Sequence, residues 1–276
     1  MAHSYPPDVA LSLAHLSEID TPPVPLLRAA AAAGFATIGL RIAPASPGGV
    51  VYPLATAAEQ AEIRALIAES GTAVMYVELI ALGPNFDAAQ ARRTLEVGAA
   101  LGATRLAVSG ESTDFARIAD QMAQVCAMAA PLGIAVDIEF MPYRGVATLA
   151  DAAEVVRRAA QPNGHVLVDA LHMHRSASTA ANLATLPPGA IGTYQVCDAP
   201  IEAPPFAELM IEARTNRLLP GHGAIDLRAQ IAALPPGTPL GVEVPLYTTR
   251  TDIGMAARLA LLVSSTRTFL NREAST

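Results

Sequence analysis

The chain has 276 residues, of which 52% are hydrophobic and 16% charged; its net charge is −7, and all 18 basic residues are arginine, with no lysine. That composition can bury one large core, and the length lies near the roughly 250 residues of a one-domain α/β barrel. The missing amine excludes Schiff-base chemistry, pyridoxal phosphate attachment and a phosphate-loop lysine, while an acidic chain without a basic stripe argues against nucleic-acid binding.

In chain order, apolar strand-like runs alternate with helical stretches. Strands are predicted at residues 9–13, 37–40, 73–78, 105–109, 135–139, 166–169, 193–197 and 240–243. Between and after them, helices are predicted at 25–33, 57–69, 88–101, 114–130, 148–159, 179–183 (weakly), 227–233 and 251–270. Gly34, Gly71, Gly102 and Gly133 each stand between a helix and the next strand, where a left-handed cap is wanted. Continuous apolar strands followed by helices imply a parallel sheet covered by helices, and eight such units close into a barrel. The whole of residues 1–276 is therefore read as a single (β/α)8 TIM-barrel domain. A doubly wound sheet is the alternative, but Leu13-Ala-His15-Leu-Ser-Glu18 stands where a glycine-rich dinucleotide turn would follow the first strand.

Four strands end on metal-capable polar side chains: Glu139, Asp169, Gln195 and Glu243. A buried, unpaired charge at a strand tip costs several kcal/mol, so these tips need a common partner. In a barrel they share one mouth, and three carboxylates with one amide would bind a divalent cation. Arg41 and Glu78, at the ends of the second and third strands, and His15, after the first, point to the same end; Glu111 is a weaker candidate. Asp198 reads as a brace for the loop after strand seven. His172 and His174 lie two apart, on different faces of any helix, which argues against joint ligation.

Cys126 and Cys197 lack CxxC spacing and read as buried thiols. No secretory leader pattern and no apolar run of 18 residues is found, so the expected location is cytoplasmic, with no membrane partner.

The segments Asp137-Ile-Glu139-Phe-Met-Pro142, Val168-Asp169-Ala-Leu-His172, Gln195-Val-Cys-Asp198-Ala-Pro200, Arg217-Leu-Leu-Pro-Gly221-His222-Gly223 and Val242-Glu243-Val-Pro245 together resemble the sugar phosphate isomerase/epimerase family. That family lies within the xylose isomerase-like barrel superfamily, which also contains endonuclease IV. The resemblance implies one Mn²⁺, Mg²⁺, Co²⁺ or Zn²⁺ ion on Glu139, Asp169, Gln195 and Glu243, with Glu139 and Glu243 as acid/base groups. Gln195 departs from the histidine common in epimerases, and its harder amide oxygen favours Mg²⁺ or Mn²⁺ over Zn²⁺. The resemblance further implies that His172 contacts a substrate oxygen and that Arg217 faces the substrate's polar end. His222, where the motif often carries an acidic residue, joins the substrate-facing candidates.

The implied function is isomerisation or epimerisation of a small polyhydroxylated ketone by proton abstraction beside a metal-polarised carbonyl. A second resemblance, to 3-dehydroshikimate dehydratase, rests on Gln195-Val-Cys-Asp-Ala-Pro and Pro220-Gly-His-Gly, although Glu243-Val-Pro-Leu departs from the dehydratase pattern. It implies the same first step followed by loss of a β-hydroxyl. A metal-bound scaffold without catalysis is a third reading. The endonuclease branch ranks lower, because it uses a histidine-rich three-metal cluster and a basic groove. The expected partner is a small polyol or ketone, and a homo-oligomer is allowed for.

Overall fold

The computed structural model describes residues 4–6, 8–44 and 48–273. Eight parallel strands form a closed barrel in sequence order: β1 (Leu11–Leu13), β2 (Thr37–Arg41), β3 (Ala73–Leu82), β4 (Arg105–Gly110), β5 (Ala135–Glu139), β6 (Gly164–Asp169), β7 (Ile191–Val196) and β8 (Leu240–Val242). The helices are α1 (Pro23–Ala33), α2 (Ala57–Ser70), α3 (Ala88–Ala100), α4 (Phe115–Ala129), α5 (Leu149–Ala159), α6 (Ala170–Arg175), α7 (Ala180–Ala184), α8 (Leu209–Thr215), α9 (Leu227–Ala232) and α10 (Met255–Glu273). The predicted (β/α)8 TIM barrel is thus the observed fold.

Local chemistry explains the punctuation. Thr56 and Thr148 open α2 and α5 with reciprocal capping boxes to Glu59 and Asp151. Gly34 and Gly71 close α1 and α2 at φ of +92° and +74°, a conformation that a side chain resists. Two helices were not anticipated. α6 is six residues long and begins at the Asp169 cap, and α8 lies in the excursion after β7; both are too short to show a helical period. β3 also continues past Glu78 to Leu82, with a shift of register between Val77 and Ile80.

The main core lies between barrel and helices, and includes fully buried Leu26, Leu27, Leu95, Leu106, Val136 and Val166. Inside the barrel, the two-residue alternation of the strands sets unusual layers. At the lower end Arg105 donates from Nε and Nη2 to Asp137 at 2.7 and 2.8 Å, and Thr193 Oγ1 donates to the same carboxylate at 2.7 Å. Nearer the mouth Leu79, Ala107, Met141 and Leu167 form a small apolar cluster, and Leu79 and Met141 line the mouth cavity. Tyr76 also lies inside, admitted by Gly39, whose missing Cβ would fall 2.4 Å from the tyrosine ring. Residues two further along β3, β5 and β7 from Tyr76, Asp137 and Thr193 are Glu78, Glu139 and Gln195, which therefore reach the mouth.

The lower layer has no spare volume at Gly192, where a Cβ would meet Arg105 Nη2 at 2.1 Å and Asp137 Oδ1 at 2.3 Å. Because that ion pair is pinned by two hydrogen bonds, Gly192→Ala should destabilise the barrel by about 1–3 kcal/mol. A urea melt checks this; an unchanged midpoint would mean that the pair can shift freely.

Candidate metal and substrate site

The register sets the mouth. Arg41 pairs alongside Glu78, Ser109 alongside Glu139, and Asp169 alongside Gln195. Glu243 follows β8 directly, held by its N–H to Val196 O at 3.2 Å. Glu139, Asp169, Gln195 and Glu243 are all buried, at 8%, 0%, 2% and 4% exposure, so the three carboxyls and the amide must find their partners in the protein rather than in water.

One guanidinium answers two of them. Arg217 Nη1 lies 2.5 Å from Asp169 Oδ2, and Arg217 Nη2 lies 2.9 Å from Glu243 Oε2. Its Nε donates to Ala213 O at 2.7 Å, and Cys197 Sγ lies 3.4 Å from Nη1. Burial raises the Asp169 carboxyl, but Arg217, His172 and the helix amides outweigh it, so its pKa is lowered overall. Asp169 Oδ1 also caps α6, accepting from Leu171 N at 2.8 Å and His172 N at 3.1 Å. Glu243 is pushed up to about 8, first by burial and then by Asp169 and Glu78 against the pull of Arg217. Glu139 rises well above the carboxylate range through burial and the charges of Glu243 and Asp169.

His172 lies on α6 with Nε2 3.5 Å from Glu139 Oε1, and burial lowers it to about 4, so its ring is neutral. Ligand atoms of Glu139, Asp169 and His172 all lie within 4.8 Å of one another. Gln195 Nε2 donates to Tyr76 OH at 3.2 Å and to Glu243 Oε1 at 3.4 Å, while its Oε1 is buried without a hydrogen-bond partner. The amide nitrogen thus faces Tyr76 and Glu243, and the orphaned atom is the carbonyl oxygen. Hard oxygen donors, one neutral imidazole and an unsatisfied carbonyl fit a divalent cation. His172 thus stands with the candidate ligand atoms and also lines the mouth cavity.

The remaining candidates separate. Arg41 and Glu78 line the mouth and pair with each other at 2.9 Å. His15 supports them from behind: its Nδ1 accepts from Arg41 N at 2.8 Å, its Nε2 lies 3.0 Å from Thr21 O, and its backbone N–H donates to Glu78 at 3.2 Å. With both ring nitrogens engaged and the side chain fully buried, His15 is a positioning group rather than a ligand-facing one. His222 is exposed and lines a different cavity, of about 660 Å³, that meets the mouth only at Arg217. Its expected place beside the other candidates is not the observed one, since it does not line the mouth; Asp198 holds the 221–225 loop through its amides. Asp198 accepts from the amides of Ala199, Gly221, Gly223 and Ile225 at 2.9, 3.0, 2.9 and 3.1 Å, which is the brace read from sequence.

Four residues of the site escaped the sequence reading: Tyr76, Tyr143, Arg144 and Arg214. Tyr76 precedes Glu78 by two and shares its face by strand alternation. Tyr143 and Arg144 follow β5 in a loop at the catalytic end of the barrel, and Tyr143 packs edge-on to His172 with ring centroids 5.7 Å apart. Arg214, on α8, was invisible because the helix itself was.

A profile of the xylose isomerase-like TIM barrel family matches residues 27–260. The chain belongs to that family. Within it, a segment covering 47% of the chain is 32% identical to a 3-dehydroshikimate dehydratase from Pseudomonas aeruginosa, of which it covers 20%. Another, covering 42% of the chain, is 31% identical to an inosose isomerase from Bacillus subtilis, of which it covers 40%. The matched segments therefore span well under two thirds of either relative. The solved IolI protein with a bound zinc atom shares the xylose isomerase-like fold at a TM-score of 0.80 and 17% identity, over 97% of this chain and 100% of that one. Among the described residues of this family member, no helix is long and apolar enough to cross a membrane.

Arg217 acts as counter-ion to buried carboxylates in the metal-free barrel, so Arg217→Met should lower stability by about 3–5 kcal/mol in chelator. Added Mn²⁺ should then raise the melting temperature more in the variant than in the parent, because the cation replaces the lost charge. Equal melting temperatures in chelator, measured by scanning fluorimetry, would deny Arg217 that role.

Proposed function

We propose that the protein is a divalent-metal-dependent isomerase or epimerase of a small polyhydroxylated ketone. The observation that carries this reading is geometric: ligand atoms of Glu139, Asp169 and His172 lie within 4.8 Å of one another, with Glu243 and the unpartnered Gln195 carbonyl beside them at the C-terminal ends of the strands. Asp169, lowered by Arg217 and His172 against its burial, serves as the charged anchor, and Glu139 and Glu243 are the groups proposed to carry a proton. Glu139, Asp169, Gln195 and Glu243 would hold Mn²⁺ or Mg²⁺, with His172 beside them. The cation, when bound, supplies Lewis-acid polarisation of the substrate carbonyl and so acidifies the adjacent C–H.

The chain's own groups do the rest. Glu139 and Glu243 come from non-adjacent strands, β5 and β8, so their carboxyls approach a substrate from different sides; one removes the carbon-bound proton and the other returns a proton. His172, neutral and buried, forms a hydrogen bond to a substrate oxygen without adding charge. Arg217 keeps a fixed positive charge in the mouth and opposes the cost of negative charge developing on oxygen. Leu79 and Met141, which cluster with Ala107 and Leu167, give the mouth an apolar wall beside its charged groups.

A dehydratase is the second reading. It is favoured by the segment 32% identical to a 3-dehydroshikimate dehydratase and by the amide at position 195. Both activities share proton abstraction and diverge afterwards. Metal-loaded protein in D₂O, offered a panel of ketoses and 3-dehydroshikimate, separates them: deuterium on a retained skeleton marks isomerisation, and ultraviolet absorbance of an aromatic product marks dehydration. Turnover of neither class with metal bound would favour a scaffold.

Glu243→Gln should keep the fold and lower the proton-transfer rate by about 10²–10⁴-fold, because the amide retains a ligand oxygen but carries no transferable proton. Deuterium wash-in at the parental rate would remove Glu243 from the acid/base pair.

A further inference from the structure

Four guanidinium groups line the mouth cavity, from Arg41, Arg144, Arg214 and Arg217, against three carboxylates, from Glu78, Glu139 and Glu243. Three of the four already meet acidic partners within the protein. Arg41 pairs with Glu78, Arg144 with Glu111, and Arg217 with Asp169 and Glu243. Arg214 differs: among the described residues, no carboxylate lies within ion-pair distance of it and no hydrogen bond engages its guanidinium.

The position is built. Arg214 is half-buried on the last turn of α8. Two residues earlier, buried Glu212 accepts from Arg175 Nε and Nη2 at 2.8 and 2.5 Å, which clamps α8 to α6. One residue earlier, Ala213 O accepts from Arg217 Nε at 2.7 Å, which ties the same turn to the counter-ion of the site. The Tyr143 phenol lies within electrostatic reach of Glu139 and of Arg217, Arg144 and Arg214, so three guanidinium groups and one carboxyl face one small space around a ring that touches His172. Such an arrangement lacks one negative partner, and the planar fork of an arginine matches the two oxygens of a carboxylate or phosphate.

We propose that Arg214 is a specificity-determining residue that pairs with an oxyanion substituent, a carboxylate or a phosphate, carried by the ketone substrate. The proposal rests on the mouth being a ketone-binding metal site. It divides the substrate between two ends: the hydroxyketone at Glu139, His172 and Glu243, and the anionic group at Arg214 beside Tyr143 and Arg144.

Three three-carbon probes test it by calorimetry on the metal-loaded full chain: neutral dihydroxyacetone, hydroxypyruvate with its carboxylate, and dihydroxyacetone phosphate. At least one charged probe should bind about tenfold or more tightly than the neutral one. Preference for hydroxypyruvate assigns a carboxylate, and preference for dihydroxyacetone phosphate assigns a phosphate. Arg214→Met should abolish the preference, Arg214→Lys should restore part of it, and dihydroxyacetone should bind all three proteins alike. Equal affinities in the parent, or a preference that survives in Arg214→Met, would overturn the proposal while leaving the ketone site standing if dihydroxyacetone still binds in a metal-dependent way. Binding of none of the three probes would overturn the ketone site and the proposal with it.

Discussion

A single buried guanidinium governs the electrostatics of the barrel mouth. Arg217 bridges Asp169 and Glu243 at 2.5 and 2.9 Å with almost no exposure to water. Without it, Asp169, Glu243 and Glu139 would crowd negative charge into a space walled by β-strands, where removing one ion from water costs several kcal/mol. Arginine suits the task better than lysine would, because its planar fork can address two carboxylates at once and it does not lose its proton. Asp169 is kept charged by this contact, whereas Glu139 is raised first by burial and then by Glu243 and Asp169, which outweigh the pull of Arg217.

Around that contact the supports are layered. Tyr76 and Glu243 hold the amide nitrogen of Gln195, which leaves its buried oxygen without a partner. His15 holds the backbone and partner of Arg41, and Asp169 caps the helix that carries His172. Groups that face the mouth are thus oriented by neighbours, some of which, Glu243 and Asp169, belong to the same set, and such supporting contacts fix ligand geometry in metal sites generally.

The fold was legible because period and punctuation agreed at every turn: apolar strands, caps such as Gly34 and Gly71, and the threonines opening α2 and α5. Strand-end chemistry showed which residues meet at the mouth, since a barrel collects the C-terminal ends of its strands at one face. What stayed hidden has a common cause. Tyr76 looks like any strand aromatic until Gly39 is known to lie across from it. α6 and α8 are too short to reveal a period, so the second place of His172 and the whole of Arg214 were beyond a local reading. His222 was expected inside because its motif neighbours are, yet backbone hydrogen bonds rather than motif membership direct the loop.

Asp198 gives that loop a particular character. Its two carboxylate oxygens and its backbone reach amides or carbonyls of residues 218, 221, 223 and 225, and none of these contacts uses a loop side chain. The path of the segment is thus written in its main chain, and the glycine at 223 is demanded by crowding against Asp198 and Ala199. Leu219 packs against the core and Pro220 is buried, but the exposed side chain at 222 is released from architectural duty. Chains sharing this brace can exchange that one residue, and with it part of the lining of the outer cavity, while the arginine at the loop's root keeps its aim.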